Sequence, residues 1–160
     1  MGVRVVFVCT GNTCRSPMAA ALFERYVREE PGLAACDVQV ASAGLHAAAG
    51  APAAPEAVRA LRAVGLSLEG HRARPFDDEL AACDVILAMT ERQKAEIILR
   101  YPQAAANVFT LKEYAGEADR RDIADPFGQD DAVYEATRRE IEEAVRRAVK
   151  RLAQERTCES

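Results

Sequence analysis

No apolar run in these 160 residues is long enough to cross a membrane, and the first residues carry no secretory hydrophobic core. Residues 3–8 form an apolar stretch, but it is too short for either role. There is no excess of basic charge: the formal net charge is −4, with no basic stripe interleaved with aromatics. Nucleic-acid binding by bulk electrostatics is therefore not expected. The five cysteines are odd in number and include no C-x-x-C pair, which argues against a disulfide framework or a zinc site. No other His/Cys/Asp/Glu pattern suggests a metal. These absences leave an expected cytoplasmic, monomeric domain spanning residues 1–160, without cofactor, metal, membrane or nucleic-acid partner.

What is present is concentrated near the start. Val5-Val6-Phe7-Val8-Cys9 reads as a buried strand ending in a thiol. Thr10, Gly11, Asn12, Thr13 and Cys14 make a short loop, followed by Arg15, Ser16 and Pro17. Gly11 and Asn12 tolerate left-handed backbone, and Ser16-Pro17 reads as an N-cap with proline at the first helical position. A strand, tight loop and helix N-terminus aim backbone N–H groups at an anion. A cysteine placed there is expected to be thiolate, the nucleophilic form. An arginine at the end of the loop offers a planar fork matching two phosphate oxygens. Cys-x5-Arg alone is a weak pattern. The strand before it and the helix start after it make it a site for phosphoryl transfer to Cys9.

The rest of the chain alternates strand-like with helix-like segments. Strands are expected at residues 3–8, 37–41, 84–89 and 108–111. Helices are expected at 17–29, 55–64, from about 91 to 101, and at 131–154. Gly65 suits the stop of the second helix. Thr90-Glu91-Arg92-Gln93 is a capping box for the third, and Asp131 is read as the cap of the last. Its buried face is read as Val133, Ile141, Val145, Ala148 and Leu152. The pattern predicts an α/β three-layer sandwich, with a parallel sheet between helices. The loops after the strands, with Ser42, Met89-Thr90 and the segment after Leu111, should meet at the carboxyl edge.

A phosphocysteine route needs a proton for the leaving group and later an activated water. One carboxyl group can do both in turn. Asp125, before Pro126 in the polar segment 113–130, is the candidate, although Asp-Pro-Phe127-Gly128 is also good turn chemistry. Ser16 could donate its hydroxyl to the Cys9 sulfur. Asn12 and Ser42 could brace the loop, and His71 is read as a loop hydrogen-bonder. Cys14 either captures oxidised Cys9 as a disulfide or packs beneath the loop. Cys36 and Cys83 read as small core residues, and Cys158 sits in a polar tail.

With Ser42-Ala43-Gly44, Ala88-Met89-Thr90 and Asp125-Pro126, the Cys9 loop resembles the low-molecular-weight protein tyrosine phosphatase family along nearly the whole chain. The resemblance implies a four-stranded parallel sheet, Cys9 as nucleophile, Arg15 as phosphate clamp and Asp125 as general acid. It also implies phosphorylated proteins as substrates and inorganic phosphate as product. Within the family the chain is closest to bacterial protein arginine phosphatases. Thr13 stands where tyrosine-specific members usually carry an aliphatic residue. Phe127 stands where they place two aromatics in succession, and Val108–Tyr114 also matches the arginine branch. Thr13 and Phe127 are therefore expected to set specificity, with phosphoarginine as substrate and phosphotyrosine as the alternative. An arsenate reductase would need two further cysteines in a mobile relay, which is missing. A non-catalytic phosphoresidue-binding module would lack the nucleophile or the acid.

Overall fold

The computed structural model describes residues 2–117, 119 and 121–156. Four strands, β1 (Gly2–Cys9), β2 (Asp37–Gly44), β3 (Val85–Ala88) and β4 (Val108–Thr110), form one parallel sheet in the order β2-β1-β3-β4. The central strands are buried along their continuous apolar runs, from Val5 to Cys9 in β1 and throughout β3. The edge strand β2 instead alternates, with Asp37 and Gln39 exposed.

Side chains of β1 point alternately to two faces. Val5 and Phe7 pack with α1 (Arg15–Glu29), α2 (Pro55–Arg62) and α6 (Asp131–Glu155) through Met18, Leu22, Leu61, Ile141 and Val145. The Phe7 and Phe23 rings meet edge-on, with centroids 5.2 Å apart. Val6 and Val8 face the opposite layer, where α3 (Asp78–Ala81) and α4 (Glu91–Arg100) contribute Leu80 and Ile97. A short helix, α5 (Leu111–Tyr114), follows β4 directly. The three-layer α/β sandwich is thus the architecture observed. Among the described residues no helix is long and apolar enough to cross a membrane.

The sequence reading departs from the structure in definite ways. Helix α1 starts at Arg15, and Cys14 holds the N-cap position without a side-chain cap bond. Ser16 is therefore not the N-cap; its hydroxyl is used inside the loop. Strand β2 runs on to Gly44, so Ser42 lies in a strand and not in a turn. Residues 78–81 and 111–114 are helical where no helix was expected. Asp130, not Asp131, caps α6 by accepting from the Val133 amide. Val133 is 39% exposed, and Tyr134 takes the buried place. Gly65 does end the α2 segment with a positive φ, and Thr90 and Gln93 do form the capping box. Cys83 is a buried free thiol, whereas Cys36 is disulfide-bonded, which corrects its reading as a plain core thiol. Cys158 lies outside the described residues.

Candidate active site

The register brings the carboxyl ends of the strands into line: Cys9 pairs with Gly44, Val8 with Ala88, and Ala88 with Thr110. The loop from Cys9 to Arg15 therefore emerges between the segments after β2 and β3. Of its two candidates for left-handed backbone, only Asn12 adopts it, at φ 58°. Gly44 is required for another reason. A Cβ there would lie 2.7 Å from the Thr10 carbonyl oxygen and 3.0 Å from the Asn12 nitrogen.

Asn12 is fully buried and its side chain holds the loop at three points. Its Nδ2 donates to Ser16 Oγ at 2.8 Å and to Ser42 Oγ at 3.0 Å, while its Oδ1 accepts from the Arg74 amide at 2.9 Å. His71 Nε2 lies 2.7 Å from the Asn12 carbonyl, the loop hydrogen bond expected of it. Because Ser16 Oγ accepts from Asn12, its own proton is left for one of two acceptors, Cys9 Sγ at 2.9 Å or the more distant Ala43 carbonyl at 3.4 Å. The Asn12 amide also donates to that sulfur at 3.2 Å. Two donors on one sulfur, next to the N-terminus of a 15-residue helix, favour negative charge there.

Arg15 is 4% exposed, an unusual burial for a guanidinium. One Nη donates to the Ile123 carbonyl at 2.8 Å, and the other lies 3.6 Å from Asp125 Oδ2. Its Nε is buried and has no partner among the described residues. An oxyanion held by the loop amides is an acceptor of the kind this charged donor needs. Asp125 is half-exposed, and its Oδ1 accepts from the Phe127 amide at 3.1 Å. One oxygen of Asp125 thus closes the turn and the other faces Arg15.

A cavity of about 230 Å³ is lined by Cys9, Thr10, Gly11, Thr13, Cys14, Arg15, Asp125 and Phe127. Asn12 and Ser16, the other two expected site residues, lie beneath it as braces. Cys14 Sγ lies 3.1 Å from the Tyr134 hydroxyl, and burial pushes its thiol pKa up. Burial also pushes the Tyr134 phenol up, and its bond to Cys14 adds to the rise. The expected oxidative pairing of Cys14 with Cys9 therefore stands as a proposal involving a protonated thiol, which attacks more slowly than a thiolate.

Two site residues escaped the sequence reading. Gln93 was legible only as a helix cap. Its Oε1 does accept from the Met89 and Thr90 amides, but its Nε2 also donates to Thr10 Oγ1 at 3.1 Å, tying α4 to the loop. The Thr-x-x-Gln spacing signalled the cap, but nothing in it signalled the second bond. Tyr134 was missed because the first position of the buried stripe was given to Val133; the other four, Ile141, Val145, Ala148 and Leu152, are buried as expected.

A sequence profile of low molecular weight phosphotyrosine protein phosphatases matches residues 4–158. A protein-arginine-phosphatase of Bacillus subtilis (strain 168) is 42% identical over 95% of this chain and 98% of its own length. A probable low molecular weight protein-tyrosine-phosphatase of Ralstonia nicotianae is 38% identical over 88% of this chain and 90% of its own. Among solved structures, the YwlE arginine phosphatase, in a cysteine-to-serine mutant with a phosphorylated active site serine, superimposes with a TM-score of 0.87. It shares 42% identity and covers 96% of this chain and 98% of that one.

Proposed function

The chain belongs to the low molecular weight phosphotyrosine protein phosphatase family, and on that premise we propose that it removes phosphate from phosphoarginine residues of proteins through a phosphocysteine. The observation that carries the reading is one cavity lined by the Cys9 thiol, the Arg15 guanidinium and the Asp125 carboxyl group. In the first step the Cys9 thiolate attacks phosphorus. The loop amides and Arg15 hold the equatorial oxygens, and the N–P bond breaks as Asp125 gives its proton to the departing guanidine nitrogen. In the second step the Asp125 carboxylate takes a proton from water. That water attacks the phosphocysteine, releasing inorganic phosphate and restoring the thiolate. Ser16 and Asn12 hold charge on the sulfur when it leaves. The phosphorylated serine in the mutant relative supports the first half of this route.

Arginine over tyrosine rests on Thr13, Phe127 and the relatives named protein-arginine-phosphatase. Thr13 lines the cavity, and its Oγ1 makes one long hydrogen bond within the loop, to Cys14 Sγ at 3.7 Å. A hydroxyl with one such bond keeps acceptor capacity for the N–H groups of a polar, planar head group. Phe127 supplies a single aromatic wall where a phenyl substrate gains from more. Thr13→Ile is expected to depress phosphoarginine turnover and to preserve or raise phosphotyrosine turnover. A polar-to-apolar change of this kind is worth about 1–3 kcal/mol, or roughly 10- to 200-fold in the ratio of the two kcat/KM values. A parallel fall of both would return Thr13 to a purely structural role.

A further inference from the structure

Beside the phosphate cavity lies a second groove, of about 380 Å³. Its walls are the segment entering α2, with Pro52, Pro55 and Glu56, and the Phe127 turn on the opposite side. Thr13 and Phe127 line both spaces, so the groove opens directly from the mouth of the site. The Ala54 amide donates to the Thr13 carbonyl at 2.9 Å, which fixes the groove wall to the phosphate loop. Phe127 is 72% exposed, a large ring left uncovered at the entrance.

We infer that this groove is a subsite for the residue next to the phosphorylated one in the substrate chain, and that it takes a lysine or arginine. The inference rests on the proposed protein phosphatase reading and deepens it. Prolines, alanines and a phenyl ring suit an aliphatic stem, while the Glu56 carboxylate suits a cationic head. Glu56 is not neutralised by its neighbour. Arg59 lies 3.9 Å from it, but bonds Asp131 with two nitrogens at 3.0 and 2.9 Å. Two carboxylates therefore share one guanidinium, and Arg15 and Asp125 offset each other across the mouth. One negative charge remains where the neighbouring side chain would lie. An arginine there also gains from stacking on Phe127. An acidic neighbour meets the like charge of Glu56.

The test uses the full chain and one peptide sequence carrying phosphoarginine, with Lys, Ala or Glu placed immediately before or immediately after it. Lysine is expected to exceed glutamate in kcat/KM by about fivefold on one side only, and the difference should shrink in high salt. Glu56→Gln should abolish that difference while leaving hydrolysis of p-nitrophenyl phosphate, which has no flanking residues, at the wild-type rate. Flanks without effect on either side would overturn the subsite. So would an equal preference on both sides that survives Glu56→Gln, because long-range steering would then be the cause. If phosphotyrosine peptides are hydrolysed and phosphoarginine peptides are not, the arginine reading fails. The same flank series on phosphotyrosine then decides the subsite independently.

Discussion

Cys9→Ser is expected to stop steady-state turnover of every phosphorylated substrate, by roughly 10⁴–10⁶-fold, the scale of a lost nucleophile. The physical reason lies in what surrounds the sulfur. The Ser16 hydroxyl at 2.9 Å and the Asn12 amide at 3.2 Å are placed to hold an anionic sulfur. A serine hydroxyl in the same place stays protonated at neutral pH and makes a poorer leaving group from phosphorus. Anion binding, by contrast, belongs to the loop amides and the buried Arg15, which the substitution leaves intact. Phosphate or vanadate should therefore bind the variant within severalfold of wild type. Acid quench of the wild-type protein during turnover should trap phosphate on Cys9. A serine variant that turns over at a rate near wild type would remove Cys9 from the reaction.

Asp125→Asn is expected to lower kcat by roughly 10²–10⁴, the range for a lost general acid. The substitution keeps the size and the Phe127 hydrogen bond available to Oδ1, so the turn survives. It removes the ionisable oxygen that faces Arg15 at 3.6 Å. The deficit should be largest for substrates whose leaving group must be protonated and smallest for aryl phosphates with acidic phenols. Comparing the two classes of substrate on wild type and variant separates proton donation from turn formation. An equal loss with both would mean that Asp125 only shapes the turn.

The residues of this site were readable where chemistry and local backbone demand coincide. Cys9, Arg15 and the loop between them sit within seven consecutive positions, and a strand running into a helix start is visible in Val5–Val8 and Pro17. Asp-Pro-Phe-Gly by itself reads as a turn, and Asp125 becomes the candidate acid only because the Cys9 loop calls for one; the structure sets its Oδ2 3.6 Å from an Arg15 nitrogen. What the sequence concealed was the second use of residues that already had a local explanation. Gln93 satisfied a capping box, and its bond to Thr10 depends on how α4, packed on β3 and β4, sits beside the loop after β1. Ser16 reads both as the cap and as a donor to the sulfur; α1 begins at Arg15 with Cys14 in the N-cap position, so the cap reading falls, and the hydroxyl lies 2.9 Å from Cys9 Sγ. Tyr134 was passed over for Val133, since both stand two turns before Ile141, at the i+7 and i+8 spacings that one apolar face admits. Gly44 read as part of a Ser-Ala-Gly turn. Its necessity comes from backbone atoms some thirty residues away, which no local pattern reports.

The most direct test of the arginine phosphatase reading is the ratio of kcat/KM for matched phosphoarginine and phosphotyrosine peptides, measured on one preparation of the wild-type protein. Thr13 in the loop and the single aromatic Phe127 predict a ratio above about 10, the lower end of what one pocket contact can discriminate. A ratio below one, with phosphotyrosine the better substrate, would contradict the assignment and make the protein a tyrosine phosphatase of the same family.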